Sequence, residues 1–499
     1  MKYAIKRGVF VGLGVILQLI LMVTINLFLM EKLAIVNIIH AFIRLILFLG
    51  LIRNSKNYSC TLPWIIILIL FPIVGSIMYV VLELNKNKSK LLKKVKTSEY
   101  IAKRYLKQDN NIRDNFIDNS RLRYISDFAH YPVTSKNEVD YYGLGEKAFP
   151  VMLEELKKAS KFIFLEYFII NNGIMWDSIL KILEEKVSEG VEVRVIYDDA
   201  GCISTLKKDY NKFLESKGIK CVVFNKLNPL SGVIMNNRDH RKILIVDGRV
   251  AFSGGINISD EYINEKKLYG HWKDNAIKIV GEGVFNFTVL FLTMWNAYRE
   301  EDKDYNLFKY EFNDTIKQDG FVVPYGETPL DSEIVGEDIY LNIINQSHKY
   351  LYIMTPYLII DTDMINSLVL AAKRGVDVRI IIPGVPDKKI VYSLSESYLQ
   401  ILVEGGVKIY KYTSGFVHSK MFLSDDLVSV VGTINLDYRS LYLHFECGVY
   451  LEGHSSIKKI KNDFEESFKV SHKLSKKEAT PGLIKAIWQT VLRLFAPLM

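Results

Sequence analysis

The 499-residue sequence contains few cysteines and prolines, and it lacks the common nucleotide, zinc-protease and serine-hydrolase signatures. Its four cysteines form no C-x-x-C pair and are too sparse for a disulfide scaffold, which favours a reducing compartment for most of the chain. Thirty glycines and 12 prolines fit no fibrous repeat, and 64 basic against 56 acidic residues are too balanced for a charged disordered tail. No P-loop, G-x-G-x-x-G, H-E-x-x-H or G-x-S-x-G motif is present.

What the sequence does contain is an uneven distribution of apolar residues, most of them near the amino end. Residues 8–30 are almost entirely apolar and are long enough to cross a bilayer. A cleaved signal peptide is the alternative, but the run is too long and Glu31-Lys32 follows it instead of a small-residue cleavage site. The second run, 33–52, carries His40 and Arg44, which are costly in a membrane. The third run, 62–82, has no charge and predicts a further span.

The charges around these runs predict the orientation of the chain. Six lysines follow the third run: Lys86, Lys88, Lys90, Lys93, Lys94 and Lys96. The positive-inside rule therefore places the remaining chain in the cytoplasm, anchored to the cell membrane by several passes. We favour two spans, with 33–52 re-entrant or interfacial; three spans, with the N-terminus outside, stay open. The lysine run is also suited to anionic lipid headgroups.

From about residue 125 onward, short apolar runs alternate with helical periodicity, which indicates an α/β fold. The pattern occurs twice. Residues 161–170 are echoed by 349–360, and 190–197 by 375–382, with a predicted helix between the runs at 176–188 and at 364–374. The sequence therefore predicts two tandem copies of one α/β domain.

A basic motif lies at the equivalent place in both copies. Each copy contains H-x-K-x4-D and a later Asn, namely His240, Lys242, Asp247 and Asn257 in the first and His418, Lys420, Asp425 and Asn435 in the second. On a strand, His and Lys two residues apart face the same side, so both can reach one phosphate. A single copy is as easily a strand that exposes a basic pair, but recurrence in a repeat favours a site. A metal site is the other alternative, although each motif would bring a lysine against the cation.

These residues resemble the phospholipase D superfamily, and within it the bacterial cardiolipin synthases. The resemblance extends over nearly the whole chain and rests on these segments: 165–168, 240–257, Trp272 with Asp274, 355–357, 418–435, Arg439-Ser440 and Pro497-Leu498. It implies transmembrane helices followed by two tandem phospholipase D-like domains, mixed β-sheets flanked by helices, with one active site at their pseudo-twofold interface. Two positions depart from the family pattern: His444, on the acceptor side, stands where Asn is usual, and Ala496 replaces a common Ser.

The chemistry of two such motifs can be argued from the residues. One neutral His attacks phosphorus and forms a phosphohistidine, while the other, protonated, donates to the leaving alcohol and then serves as base. The lysines and asparagines hold the phosphoryl oxygens, so no metal or other cofactor is needed. By resemblance, His240 is the nucleophile and His418 the acid/base, an assignment that sequence symmetry alone does not make.

Five carboxylates complete the predicted site. Asp274 and Glu446, each about thirty residues after its His, are candidates to orient the rings; ordinary structural carboxylates are the alternative. Asp247 and Asp425 take a catalytic label from the family pattern and fix the motif by hydrogen bonding. Glu166, on an apolar strand, supports the site from below.

The resemblance implies transfer of a phosphatidyl group between two phosphatidylglycerol molecules, giving cardiolipin and glycerol. Partners are then phosphatidylglycerol and anionic membrane lipids, not nucleic acid. A hydrolase that uses water (a phospholipase D or a nuclease) and a non-catalytic membrane scaffold stay open as alternatives, as do headgroup and acyl-chain preference and oligomeric state.

The sequence also predicts how the chain is divided. The predicted units are an anchor (1–84), a basic linker (85–125), two catalytic domains (126–310 and 311–475) and a C-terminal amphipathic helix (476–499). That last helix either lies in the membrane interface or packs on the core.

Overall fold

The computed structural model describes residues 34–54, 58–82, 90–227, 236–312 and 316–498, together with Ile20 and Thr24. The helices of these ranges are α1 (Ala34–Asn54), α2 (Tyr58–Leu70), α3 (Pro72–Leu82), α4 (Lys90–Ala102), α5 (Asn110–Asp114), α6 (Ser120–Asp127), α7 (Gly145–Lys157), α8 (Ile174–Ser188), α9 (Asp199–Cys202), α10 (Tyr210–Ser216), α11 (Val284–Arg299), α12 (Val335–Gln346), α13 (Thr362–Lys373), α14 (Lys389–Glu396), α15 (Leu399–Glu404), α16 (Tyr438–Tyr442), α17 (Ile457–Lys469), α18 (Lys476–Ala479) and α19 (Leu483–Leu494). Short 3₁₀ turns cover Asp260–Ile263, Tyr305–Phe308 and Ala496–Leu498.

The strands belong to two large sheets and one small parallel pair. They are β1 (Asn137–Tyr142), β2 (Phe162–Tyr167), β3 (Glu192–Asp198), β4 (Lys220–Phe224), β5 (Lys242–Val246), β6 (Val250–Gly254), β7 (His271–Lys273), β8 (Ala276–Gly281), β9 (Phe321–Glu327), β10 (Tyr350–Met354), β11 (Asp377–Pro383), β12 (Lys408–Tyr412), β13 (Gly415–Val417), β14 (Met421–Ser424), β15 (Val428–Gly432), β16 (Glu446–Glu452) and β17 (Ser471–Lys473).

The two sheets repeat one topology, as the internal repeat predicts. The first has the order β1-β8-β6-β5-β2-β3-β4, and the second β9-β16-β15-β14-β10-β11-β12 with β17 added at its edge. In both, three strands run parallel (β2, β3 and β4; β10, β11 and β12) and the others pair antiparallel. The crossover helices α8 and α13 occupy the predicted places. The fold is therefore α/β, with mixed sheets in two copies.

The two copies share one hydrophobic core, and backbone segments of one copy pair with segments of the other. One apolar core includes Phe164 and Ile245 from the first sheet, Val431 and Val449 from the second, and the buried helix α11. Strand β7 of the first copy pairs in parallel with β13 of the second. Residue Asp239 of the first copy likewise bridges in parallel to Phe445 of the second. The interface between the copies is therefore held by backbone pairing and a shared core, and both motifs lie next to it.

The amino-terminal segment differs in part from the sequence prediction. The run 33–52 is helical as α1, and the run 62–82, which the sequence predicts as a span, is divided into two helices, α2 and α3. Pro72 begins α3, and because proline has no amide hydrogen and restricts the residue before it, a helix ends readily at this point. In the described ranges, no helix combines the length and the apolar character needed to cross a membrane. The predicted span at 8–30 lies outside the described residues, apart from Ile20 and Thr24.

Candidate active site

The two motif histidines lie just before strands β5 and β14, where the copies meet. The backbone N–H of His240 donates to the carbonyl of Phe445 over 2.8 Å, and that of His418 donates to the carbonyl of Lys273 over 2.7 Å. Each histidine is therefore positioned by the backbone of the opposite copy. Both residues are buried, with 8% of their surface exposed.

Each histidine ring is contacted by a carboxylate of the other copy. This corrects the sequence prediction, which associated each carboxylate with the histidine that precedes it in its own copy. Nδ1 of His240 lies 2.8 and 2.9 Å from the oxygens of Glu446, and Nδ1 of His418 lies 2.7 Å from Oδ2 of Asp274. The cause is the parallel pairing across the junction: the residue after each pairing carbonyl points its carboxylate at the ring of the other copy. Sequence distance alone gives no sign of this exchange.

The motif lysines are buried beside the rings. Nζ of Lys242 donates to the carbonyl of His240 over 2.6 Å. Nζ of Lys420 donates to the carbonyl of His418 and lies 2.9 Å from Nδ1 of that ring. Burial lowers the pKa of Lys242 to about 8 and that of Lys420 to about 7. Because the low-dielectric surroundings disfavour these ammonium charges, an anion that enters the site is strongly attracted.

The two halves of the site hold protons differently. Burial, followed by the adjacent lysine, lowers the pKa of His240 well below its usual value and that of His418 to about 4. Burial also raises the pKa of Glu446 to about 8. The pKa of Asp274 lies below its usual value, because contacts with His418 outweigh the opposing effect of burial. The carboxyl facing His240 thus tends to keep a proton, and the one facing His418 tends to stay charged.

The two asparagines of the motifs differ in their contacts. Oδ1 of Asn257 accepts from the backbone N–H of Ile169 over 3.1 Å, and its Nδ2 donates to the hydroxyl of Tyr262 over 2.7 Å. Asn435 is buried, and its Oδ1 has no hydrogen-bond partner among the described residues. Asn257 is therefore engaged with neighbouring residues, whereas Asn435 retains a buried polar atom that a ligand can use.

Asp247 and Asp425 lie at the far ends of β5 and β14 and bind backbone amides. The carboxylate of Asp247 accepts from the N–H groups of residues 160–162 over 2.8 to 2.9 Å, and that of Asp425 accepts from those of residues 348–350 over 2.7 to 2.8 Å. Both adopt positive φ, 55° and 57°. Neither carboxylate is directed at the rings, and we interpret both as positioning residues that fix the strand holding His and Lys.

Glu166 lies on the opposite side of the first sheet from His240. It is fully buried on β2, and Oε1 lies 3.6 Å from Nη1 of Arg241, the residue between His240 and Lys242. Burial and the nearby Asp239 raise its pKa well above the usual value. Glu166 thus faces Arg241 and not a histidine ring, and its supporting role stays a prediction.

Several residues of the site are not evident from the motifs. Aromatic rings flank the histidines: Phe168 lies 4.9 Å from His240, and Tyr262 lies 5.3 Å from His418, between ring centroids. The hydroxyl of Thr433 donates to Oε2 of Glu446 over 2.5 Å. His444 lies 5.7 Å from the ring of His240. Of these, Phe168 and Thr433 lie in segments that carry the family resemblance, His444 is a departure from the family pattern, and Tyr262 carried no sequence signal.

Comparison with known proteins agrees with this geometry. The family model described as cardiolipin synthase, PLD-like domain, matches residues 152–275 and 340–468. A cardiolipin synthase of Clostridium perfringens is 34% identical over 89% of this chain and 95% of its own length. Cardiolipin synthase 1 of Staphylococcus aureus is 32% identical over 93% of this chain and 96% of its own length.

A solved structure supports the fold alone. The phosphatidylserine synthase of Haemophilus influenzae superimposes with a TM-score of 0.56 at 16% identity, covering 76% of this chain and 98% of its own. The family match spans both copies and both motifs, and the relatives align over most of their length. The chain therefore belongs to the cardiolipin synthase family of phospholipase D-like proteins.

Proposed function

We propose that the protein is a cardiolipin synthase that transfers a phosphatidyl group from one phosphatidylglycerol to the hydroxyl of another, giving cardiolipin and glycerol. The observation that carries this proposal is the pair of buried His–Lys sets, each ring held by a carboxylate of the opposite copy. The family relationship supports the same reaction class.

In the first step, Nε2 of His240 attacks the donor phosphorus, because Nδ1 faces Glu446. The bond from phosphorus to the glycerol oxygen breaks, and the imidazolium of His418 gives its proton to that oxygen. Binding of the anionic phosphate favours this protonated form, which free enzyme holds weakly because burial lowers the pKa of His418 to about 4. In the second step, neutral His418 takes the proton of the acceptor hydroxyl, whose oxygen attacks phosphorus and releases His240.

The other polar groups have supporting roles in this scheme. The ammonium groups of Lys242 and Lys420 stabilise the charge that develops on the phosphoryl oxygens. The unpartnered Oδ1 of Asn435 can accept a hydrogen bond from a substrate hydroxyl. Asp274 keeps the ring of His418 oriented and favours its protonated form. No metal takes part in the scheme, so a chelator is expected to leave activity unchanged.

Membrane association is supported by the outward face of α19. Gln489 and Leu492 of this helix are buried against the protein, where Gln489 donates to the carbonyl of Ser393, and the exposed Lys485 pairs with Glu396 over 2.7 Å. Five other apolar residues of the helix are exposed, namely Leu483, Ile484, Ile487, Trp488 and Val491. A helix of a water-surrounded protein buries most of its apolar residues, so this exposed apolar surface fits contact with lipid. We assign the lipid bilayer as the occupant of this face.

The same proposal includes the arrangement of the whole chain. Residues 1–84 anchor it to the cell membrane, 85–125 form a basic linker, and the units 126–310 and 311–475 form the catalytic pair on the cytoplasmic side. The unit 476–499 contains α19. Helix α2 and α16 both contact the turn Ala496–Leu498, which brings the apolar segments close to the second copy.

The decisive experiment uses labelled phosphatidylglycerol in mixed micelles and separates the lipid products. The proposal expects cardiolipin and glycerol with or without EDTA, and no turnover by the variant His240→Ala. Phosphatidic acid as the main product would indicate a hydrolase, and unchanged turnover by His240→Ala would indicate that the motifs are not catalytic. The exposed variant His472→Ala is the matched control.

A further inference from the structure

The two halves of the active site differ at one equivalent position. His444 lies two residues before Glu446, and Trp272 lies two residues before Asp274, so the crossed pairing places each beside one motif ring. The ring centroids of His444 and His240 are 5.7 Å apart, and those of Trp272 and His418 are 5.5 Å apart. One half therefore presents an imidazole where the other presents an indole.

The half around His418 is aromatic. Tyr262, Trp272 and Phe416 have ring centroids within 6.0 Å of the His418 ring. These three side chains surround the imidazole of His418 with aromatic surface. None of them carries a formal charge that could bind a second anion.

The half around His240 contains an unsatisfied buried imidazole. His444 is 8% exposed, and neither of its ring nitrogens has a hydrogen-bond partner among the described residues. Its Nδ1 lies 3.9 Å from Oε1 of Glu446, which is too far for a hydrogen bond. A buried polar group without partners is costly, so both nitrogens are available to a ligand.

Positive charge surrounds this imidazole. Burial and then the charges of four cations lower the pKa of His444 well below its usual value: Arg439, Arg238, Lys242 and Lys388. Two carboxylates face three of these four cations: Asp198 pairs with Arg238 over 2.9 Å, and Asp437 interacts with Arg439 and Lys388. The balance of charge in this place favours an anionic ligand.

A cation is the competing occupant. Ligand atoms of His444, His240 and Glu446 lie within 4.8 Å of one another, close enough to share a metal ion. However, the same four cations, which include the adjacent Lys242, would repel a metal ion. The distances between these atoms would allow either a metal ion or an anion to bind, but the surrounding positive charges favour an anion.

We propose that His444, together with Arg439 and Lys388, binds the phosphate of the acceptor lipid. This inference rests on the proposed function, in which two phosphates meet in one site: the one being transferred and the one already carried by the acceptor phosphatidylglycerol. Only a three-carbon glycerol unit joins the two phosphates in the product, so the second must lie beside the first. Water and free glycerol carry no phosphate, and the contact therefore selects a lipid acceptor over both.

The test compares acceptors in the variant His444→Leu, using the full chain in mixed micelles of phosphatidylglycerol. Cardiolipin formation is expected to fall by about tenfold or more through a higher KM for lipid, since hydrogen bonds to a charged group are lost. Incorporation of labelled free glycerol into phosphatidylglycerol, which needs no second phosphate, is expected to stay within about twofold of the wild type. His444→Lys places a different hydrogen-bond donor at this position and is expected to recover part of the cardiolipin yield, while His472→Leu is the control.

Three results would overturn the inference. An equal loss of both reactions in His444→Leu, at full folding, would give His444 a merely structural role. Inhibition by micromolar Zn²⁺ that disappears in His444→Leu, with acceptor preference unchanged, would identify a metal site instead. Phosphatidic acid as the only product of the wild type would refute the proposed function itself, and the lipid-acceptor site with it.

Discussion

At the scale of single residues, the pair of His240 and Glu446 shows how burial determines chemistry. Both side chains are buried within hydrogen-bond distance, and burial lowers the pKa of the imidazole while it raises that of the carboxyl to about 8. Each shift disfavours a charged group. The pair is consequently held near neutrality, and a neutral ring fits the nucleophilic role that we propose for Nε2 of His240.

The raised pKa of Glu446 predicts a pH-dependent difference in stability between wild type and Glu446→Gln. The pKa is about 4.5 in the unfolded chain and about 8 in the fold, so the native state binds the extra proton between these values. Stability from this group is fully present below pH 4.5 and is lost as the pH rises toward 8, by up to about 1.4 kcal/mol per unit.

Thermal unfolding in detergent should therefore show the variant gaining stability relative to the wild type from pH 5 to pH 8. The exposed Glu404→Gln is the control and is expected to give a difference that does not change with pH. A constant difference for Glu446→Gln across this interval would contradict the raised pKa.

At the scale of elements, each H-x-K-x4-D motif spans a strand that is hydrogen-bonded to other segments at both ends. Backbone pairing with the opposite copy fixes the beginning of the motif. Its end is fixed by the motif aspartate, because Asp247 accepts hydrogen bonds from backbone N–H groups at the start of β2 and Asp425 accepts them from those at the start of β10. The motif aspartates thus act on the strand that carries His and Lys.

We expect Asp247→Ala to lower stability by about 2–4 kcal/mol, because it leaves buried amides unpaired and places alanine at a positive φ. Activity per folded molecule is expected to remain within about threefold of the wild type at low temperature. Calorimetry combined with the cardiolipin assay separates the two quantities. Loss of activity by a hundredfold in fully folded protein would instead assign Asp247 to the chemistry.

Helix α19 gives a prediction about its exposed apolar surface, which we propose contacts lipid. An environment-sensitive fluorophore on Ile484→Cys, in the full chain with Cys60→Ser, is expected to shift to the blue in phosphatidylglycerol nanodiscs and to be quenched by brominated lipid. The same label on Leu307→Cys, an equally exposed position in the first copy, should report water. Equal spectra at the two positions would exclude α19 from the membrane interface.

At the scale of the whole molecule, one site is assembled from two copies that share a continuous apolar core. Each copy supplies a His, a Lys and the carboxylate for the other copy's ring. The pseudo-symmetry is broken by His444 opposite Trp272, which makes the halves chemically distinct.

Because both rings of a site belong to one chain, the variants His240→Asn and His418→Asn are not expected to complement each other. Purified variants, mixed or expressed together, should yield cardiolipin at the background level of either alone. Recovery to about a quarter of wild-type activity would show that two chains exchange copies to build the site.

The sequence by itself determined the repeat, the α/β fold class, the two motifs and the concentration of apolar residues near the amino end, because these depend on local periodicity and on residue types at fixed spacing. It made Asp274 and Glu446 candidates to orient the rings, but sequence spacing associated each with the histidine of its own copy, whereas the structure places each beside the histidine of the other copy. It predicted a span over 62–82, which the structure divides at Pro72. Only the tertiary structure decided the crossed carboxylates, the opposite proton preferences of Glu446 and Asp274, and the unpartnered His444. These properties depend on parallel pairing between distant segments and on burial at their junction, and neither is encoded in the spacing of residues along the chain.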